Sequence, residues 1–298
     1  MLHIFSIFLA TLTLKTLAAE QADSLVFSAM GCGPYTTEDV QAIAYYIREE
    51  NRSKDSEFLV HLGDINSGDM ARKGKLTEDY YASISKLLTE NNKIPTYIVP
   101  GDNEWNDRPD PEMGWKHWTR HLGNLEKNFK VKWKTERQKI RPENFSFVRK
   151  GVLFIGINLV GGRIHDKEEW ARRFNENNDW IEMQFMTHRQ LVSAAVVCCQ
   201  ANPISKSKGK MNAKKPFTPF YNRFGKLGAK FAKPVLFLHA DGHQWIVDQP
   251  WKNAPNITRI QLDRVNASFP PAQFTIKPST EKPFSFDRRL QKPEWNPQ

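Results

Sequence analysis

Two apolar periods alternate along the first half of the chain. Ser24–Met30 (SLVFSAM), Phe58–Leu62 (FLVHL) and Pro95–Val99 (PTYIV) are short apolar runs of strand length. Between them lie segments of helical period. Thr36 or Thr37 opens one with Val40, Ile43, Ala44 and Ile47 on a single face, and Thr77 opens another with Tyr80, Tyr81, Ile84, Leu87 and Leu88 facing inward. The order β-α-β-α-β predicts parallel strands joined by right-handed crossovers.

The second half is richer in strands. Lys150-Gly151 separates Phe145–Arg149 from Val152–Asn158 and predicts a hairpin. Glu168–Gln190 reads as a helix. Ala194–Cys199 and Val235–His239 read as buried strands, and Trp245–Asp248, Thr258–Arg264 and Gln273–Lys277 as shorter alternating ones. From Ala201 to Lys233 the chain has nine Lys/Arg and no acid. SKSKGKMNAKK within it reads as a mobile loop. Phe217, Phe220, Tyr221, Phe224, Leu227 and Phe231 then fall near helical spacing. Residues 278–298 are rich in Pro and charge and read as a tail wrapping the surface.

Composition adds a compartment and a class of partner. Leu2–Leu14 is almost unbroken apolar sequence, followed by Ala18 and Ala19. It is short for a bilayer span and fits a signal peptide over residues 1–19, which predicts a secreted or periplasmic protein with no span after processing. The chain has 298 residues, 40% of them hydrophobic, enough for one large domain or two small ones. Lys and Arg number 43 against 33 Asp and Glu, a net +10 that favours phosphorylated or other anionic partners. The 206–233 stretch is the candidate polyanion-binding surface. Cys32, Cys198 and Cys199 are too few for a disulfide framework, and any bridge would join Cys32 to one of the pair. Asn51, Asn144, Asn256 and Asn266 match the glycan-acceptor pattern.

Candidate chemistry sits where the apolar runs end. The segments are SAMGCGPY (Ser28–Tyr35), HLGDINSGD (His61–Asp69), VPGDNEWND (Val99–Asp107), CCQANP (Cys198–Pro203) and LHADGHQW (Leu238–Trp245). They put Asp64, Asn103, Asp241 and His243 at the carboxyl ends of buried strands, the edge where open α/β sheets bind ligands. Glycine precedes both Asp64 and Asp102, as a sharp turn requires. Carboxylates, an amide and an imidazole converging on one rim form a divalent-metal ligand set.

In this order the segments resemble the calcineurin-like metallophosphoesterases over Ser24 to Lys277. VPGDNEW and GCGPY are similar to the branch whose third motif reads Gly-Asp-Asn-Glu-Trp. The resemblance implies an α/β fold: a four-layer α/β/β/α sandwich around two mixed β-sheets, spanning residues 24–277. It implies one or two divalent ions (Mn, Zn, Fe or Mg) and a phosphorylated substrate. Asp64 matches the carboxylate bridging two metals, Asn103 the amide ligand of the second metal and His243 the last histidine. Asp241 falls where the family has another histidine, Cys32 where it has its first aspartate, and Gln200 near its lone histidine. Gly33 and Pro34 offer nothing for the histidine of the first motif. Glu104 takes the place of the histidine that protonates the leaving group.

Two roles stay open for Glu104: general acid, if burial raises its pKa, or a brace for its loop. His239 is an orienting or catalytic candidate behind the ligands. A thiolate at Cys32 would favour zinc over magnesium or manganese. The implied activity is an exported phosphoesterase that hydrolyses phosphomonoesters or diesters with metal-activated hydroxide. The alternative, raised by the missing ligands, is a catalytically impaired protein that keeps the scaffold for binding.

Overall fold

A computed structural model describes residues 24–207, 210–278 and 280–297. The segment expected to act as an export signal, residues 1–19, lies outside these residues.

The first half forms β1 (Leu25–Met30), α1 (Thr37–Ser53), β2 (Leu59–His61), α2 (Gly68–Arg72), α3 (Glu78–Thr89) and β3 (Thr96–Ile98). Strands β1, β2 and β3 are parallel neighbours, as the alternating periods predict. Thr36 begins α1 with a capping box: its hydroxyl accepts from the Asp39 amide at 3.1 Å, and Asp39 accepts from the Thr36 amide at 3.2 Å. A further helix, α4 (Pro111–His121), starts with Asp110 as its cap and Pro111 in its first turn.

The second half forms β4 (Glu136–Arg137), β5 (Phe145–Arg149), β6 (Val152–Gly156), α5 (Lys167–His188), β7 (Ala194–Cys199), β8 (Ile204–Ser207) and β9 (Lys210–Ala213). There follow α6 (Thr218–Phe231), β10 (Val235–His239), β11 (Ile246–Asp248), β12 (Ile257–Gln261), β13 (Ala272–Ile276) and β14 (Phe284–Asp287). One mixed sheet has the order β14-β13-β1-β2-β3 and the other β11-β12-β10-β7-β6-β5-β4.

Alternation along the strands separates three cores. Phe27, Val60, Phe154, Val196 and Leu238 meet between the sheets. Leu153, Ile155, Val197 and Phe237 face the opposite way and pack on Trp180, Phe185, Phe220 and Phe224 of α5 and α6. Met30, Leu59 and Ile98 pack on Ile43, Tyr81, Ile84 and Trp118 of α1, α3 and α4. Three cores between elements of these kinds give the order helix, sheet, sheet, helix. The inter-sheet core is built on aromatics: the Phe58 ring lies 4.8 Å from Phe154, 5.2 Å from Phe147 and 5.3 Å from Phe27.

Three local readings change. The expected mobile loop contains strand structure: β8 pairs antiparallel with β9, from Ile204 opposite Ala213 to Ser207 opposite Lys210. The tail does more than wrap the surface. β14 extends the first sheet, Trp295 stacks on Tyr46, and Arg289 pairs with Glu50 at 2.6 Å where both are buried. Asn144 is fully buried and donates to Gln138 and Asn177, so it is no glycan acceptor.

Candidate functional site

Both sheets present the carboxyl ends of their parallel strands to one place. Cys32 follows β1, Asp64 follows β2, and Asp102 to Trp105 follow β3. From the other sheet come the loop after β6, Gln200 after β7 and Asp241 after β10. Backbone bonds join these ends: Cys32 N–H donates to Gly63 O at 2.9 Å, and Ala240 N–H to Gln200 O at 3.1 Å.

The turns are conformationally unusual. Cys32, Asp64, Asp241 and His243 all have positive φ, between 55° and 68°. Side chains other than glycine adopt that region rarely, and such residues gather at functional sites. Gly101 is required by close approach. A methyl group there would lie 2.2 Å from the Asp64 amide nitrogen and 2.6 Å from Glu104 Oε2.

The centre is a buried hydrogen-bonded cluster. Gln200 Nε2 donates to Asp64 Oδ2 at 3.0 Å and to Asp102 Oδ1 at 3.2 Å. Its orientation is set from behind, because Gly161 N–H donates to Gln200 Oε1 at 2.9 Å. The Cys32 thiol donates to Asp64 Oδ2 at 3.5 Å and accepts from the Asp241 amide at 3.2 Å. The Asn103 amide reaches Asp64 Oδ1 at 3.4 Å, while its side-chain nitrogen donates to Asn66 O at 2.9 Å. Asp241 Oδ2 accepts from the Asn202 amide at 3.2 Å.

The electrostatics follow from burial without a basic partner. Asp64, Asp102, Glu104 and Asp241 have no Lys or Arg ion pair among the described residues. Burial raises the Asp64 and Asp102 carboxyls, Asp64 further through the charge of Glu104 and Asp102 further through that of Asp64. Burial pushes Glu104 up to about 8. The Cys32 thiol is held well above its ordinary value, by burial first and then by Asp64.

Of the sequence-derived candidates, Cys32, Asp64, Asn103, Gln200 and Asp241 do come together. His243 stands at the exposed rim, its Nε2 3.4 Å from the Tyr35 hydroxyl. Glu104 is 0% exposed; its Oε1 accepts from the Ile65 amide at 3.3 Å, and its backbone carbonyl accepts from the Tyr81 hydroxyl. That is the geometry of a loop brace. His239 is likewise fully buried. Its Nδ1 lies 3.0 Å from the Ala240 carbonyl, no partner among the described residues reaches Nε2, and burial lowers it to about 3. It makes no hydrogen bond to the carboxylates. Asp102 and Asn202 were not singled out from sequence. For Asp102 the Gly-Asp turn was the available signal; Asn202 acts through its backbone, which no residue type announces.

A two-metal centre needs ions about 3.5–4 Å apart, each with its own anionic or imidazole ligands. These residues do not fit one. The Gln200 amide turns N–H, not oxygen, toward the carboxylates, the Cys32 thiol points its hydrogen bond at Asp64, and His243 faces Tyr35. Among the described residues, no group of three His, Cys, Asp or Glu is arranged to hold a metal ion.

No family model and no curated protein matches the chain. Among solved structures it is similar to a dimetal phosphatase from Danio rerio, with TM-score 0.54 and 10% identity over 85% of this chain and 93% of that one. A protein from Thermus thermophilus gives TM-score 0.49 at 12% identity, covering 89% of this chain and 99% of its own. A 5'-nucleotidase from Candida albicans gives 0.49 at 10% identity, covering 91% of this chain and 56% of its own. The likeness is one of fold: the chain has the metallophosphoesterase fold, with two large mixed sheets flanked by helices.

Proposed function

We propose that this chain uses the metallophosphoesterase fold as a binding scaffold and does not turn over phosphate esters. One observation carries the reading: the Gln200 amide donates into both Asp64 and Asp102. Hydrogens occupy the place where a shared ion would need lone pairs. Burial without a basic partner raises the Asp64, Asp102 and Glu104 carboxyls. The net charge of +10 favours an anionic or phosphorylated partner, and the apolar leader favours action outside the cytoplasm.

Part of the basic stretch is already engaged. Arg223 pairs with Asp179 at 2.6 Å and Glu182 at 2.9 Å, and Lys230 approaches Glu182 at 3.6 Å. Lys206, Lys214, Lys215 and Lys226 remain as the polyanion-facing group.

A second reading is hydrolysis with a single hard cation held by Asp64, Asn103 and Asp241. It is favoured by the surplus of buried carboxylates, since such charge is costly unless paired. Metal analysis of the purified protein decides between the two, together with hydrolysis of nitrophenyl mono- and diesters in added Mn²⁺, Zn²⁺ or Mg²⁺. The scaffold reading expects no stoichiometric metal and no turnover. It also expects a Cys32→Asp/Gln200→His double variant to gain metal. Turnover by the native chain that Asp64→Asn abolishes would sink it.

A further inference from the structure

Exposed apolar side chains gather at one end of α5. Met183 is 48% exposed and Met186 66%, and three residues apart on a helix they share a face. Leu191, 71% exposed, continues that face past the helix end, where its amide still donates to His188 O at 2.8 Å. None of the three belongs to a core. Single exposed apolar side chains need no explanation, but a ridge of them does.

Cations flank the ridge on both sides. On one side an open groove of about 780 Å³ brings Met183 together with Lys127, Lys134 and Lys139. The loop that carries these lysines alternates: Phe129, Val131 and Trp133 are half-buried, while Lys130, Lys132 and Lys134 are exposed. Trp133 fastens the loop, donating to the Tyr97 hydroxyl at 2.9 Å with its ring 5.6 Å from that of Phe147. On the other side Met186 shares a cleft with Arg189 and Lys230.

The acids of this face are already answered. Glu126 pairs with Arg137 at 2.6 Å and Glu136 with Lys134 at 2.9 Å. Asp179 and Glu182 pair with Arg223 at 2.6 and 2.9 Å. Lys127, Lys130, Lys132, Lys139 and Arg189 have no ion pair among the described residues. The face is therefore apolar along its crest and positive on its flanks.

That combination selects the partner. A soluble polyanion would satisfy the cations and leave Met183, Met186 and Leu191 in water. A second copy of the chain would set like charges against each other. An anionic lipid surface answers both features: the crest enters the boundary between headgroups and acyl chains, and the lysines are drawn to the lipid charge. The ridge stands between two recesses, a shape that suits a flat partner. Among the described residues no helix is long and apolar enough to cross a bilayer; this contact lies along its surface.

We propose that the C-terminal half of α5 and the Lys127–Lys139 loop form a peripheral binding face for anionic lipid membranes. The face is separate from Lys206, Lys214, Lys215 and Lys226, and it does not depend on whether the carboxylate cluster holds a metal ion.

The test is cosedimentation of the full chain with phosphatidylcholine vesicles, with and without phosphatidylserine, at low and high salt. Binding to the serine-lipid vesicles is expected, weakening as salt rises. Met183→Ser/Met186→Ser/Leu191→Ser and Lys127→Gln/Lys130→Gln/Lys132→Gln/Lys139→Gln should each lower it about tenfold or more. Every substituted side chain is exposed, and circular dichroism checks that both variants fold. A polarity-sensitive dye coupled through Met186→Cys should shift to the blue on the same vesicles; the native cysteines are buried. Binding that survives the apolar set overturns the proposal, whether charge alone or the apolar Leu2–Leu14 segment carries it. So does the absence of binding to serine-lipid vesicles, or of a dye shift. Lipid-free dimerisation in ultracentrifugation that the apolar set abolishes would overturn it in favour of a second copy.

Discussion

Replacing Glu104 by glutamine isolates one buried proton. The native carboxyl is fully enclosed, and burial pushes it from an ordinary 4.5 up to about 8. An unfolded chain gives up that proton near its ordinary value, whereas the folded chain keeps it until about pH 8. Between those limits the folded state binds more protons, so stability is lost as pH rises through the window and levels off above it. At roughly 1.4 kcal/mol per pH unit, the loss is on the order of 4–5 kcal/mol. Glutamine keeps the oxygen that accepts from the Ile65 amide at 3.3 Å and removes the titration. Urea unfolding at about pH 5 and about pH 9 reads the difference. The variant should fall less steeply and be the more stable protein at the higher pH, with the gap closing at the lower. Parallel profiles, or a variant weakened equally at both, would refute the burial argument.

Three further outcomes follow from packing. Gly101→Ala places a methyl 2.2 Å from the Asp64 amide nitrogen, so the cluster must shift; thermal unfolding should show a loss of about 1–3 kcal/mol or more. Phe58→Ala empties the centre of the inter-sheet aromatic cluster and should cost about 3–5 kcal/mol in urea unfolding. Arg289→Ala strands Glu50, 2% exposed, without its partner, and should cost about 3–5 kcal/mol; Arg289→Ala/Glu50→Leu should recover most of it.

The sequence carried the fold well where one period dominated. β1, β2, β3, β7 and β10 lie within one or two residues of the apolar runs that announced them. Of the two caps the pattern allowed, Thr36 and Thr37, the first begins the helix. It carried less where neighbours decided. Pro111–His121 buries only Gly114 and Trp118, and α4 went unread. β8 and β9 have four residues each, so only their mutual pairing marks them as strands. The tail's place depended on Glu50 and Tyr46, more than two hundred residues away.

The candidate site divides in the same way. Sequence alone placed Cys32, Asp64, Asn103, Gln200 and Asp241 at strand ends, because a strand's end follows from where its apolar run stops. What those residues do to one another was a tertiary matter. Only the loop after β6 fixes which end of the Gln200 amide faces Asp64 and Asp102. Only enclosure raises the Cys32 thiol and turns Glu104 into a brace. Residue type sets which groups are present; orientation and desolvation, which depend on distant segments meeting, set whether they bind a cation.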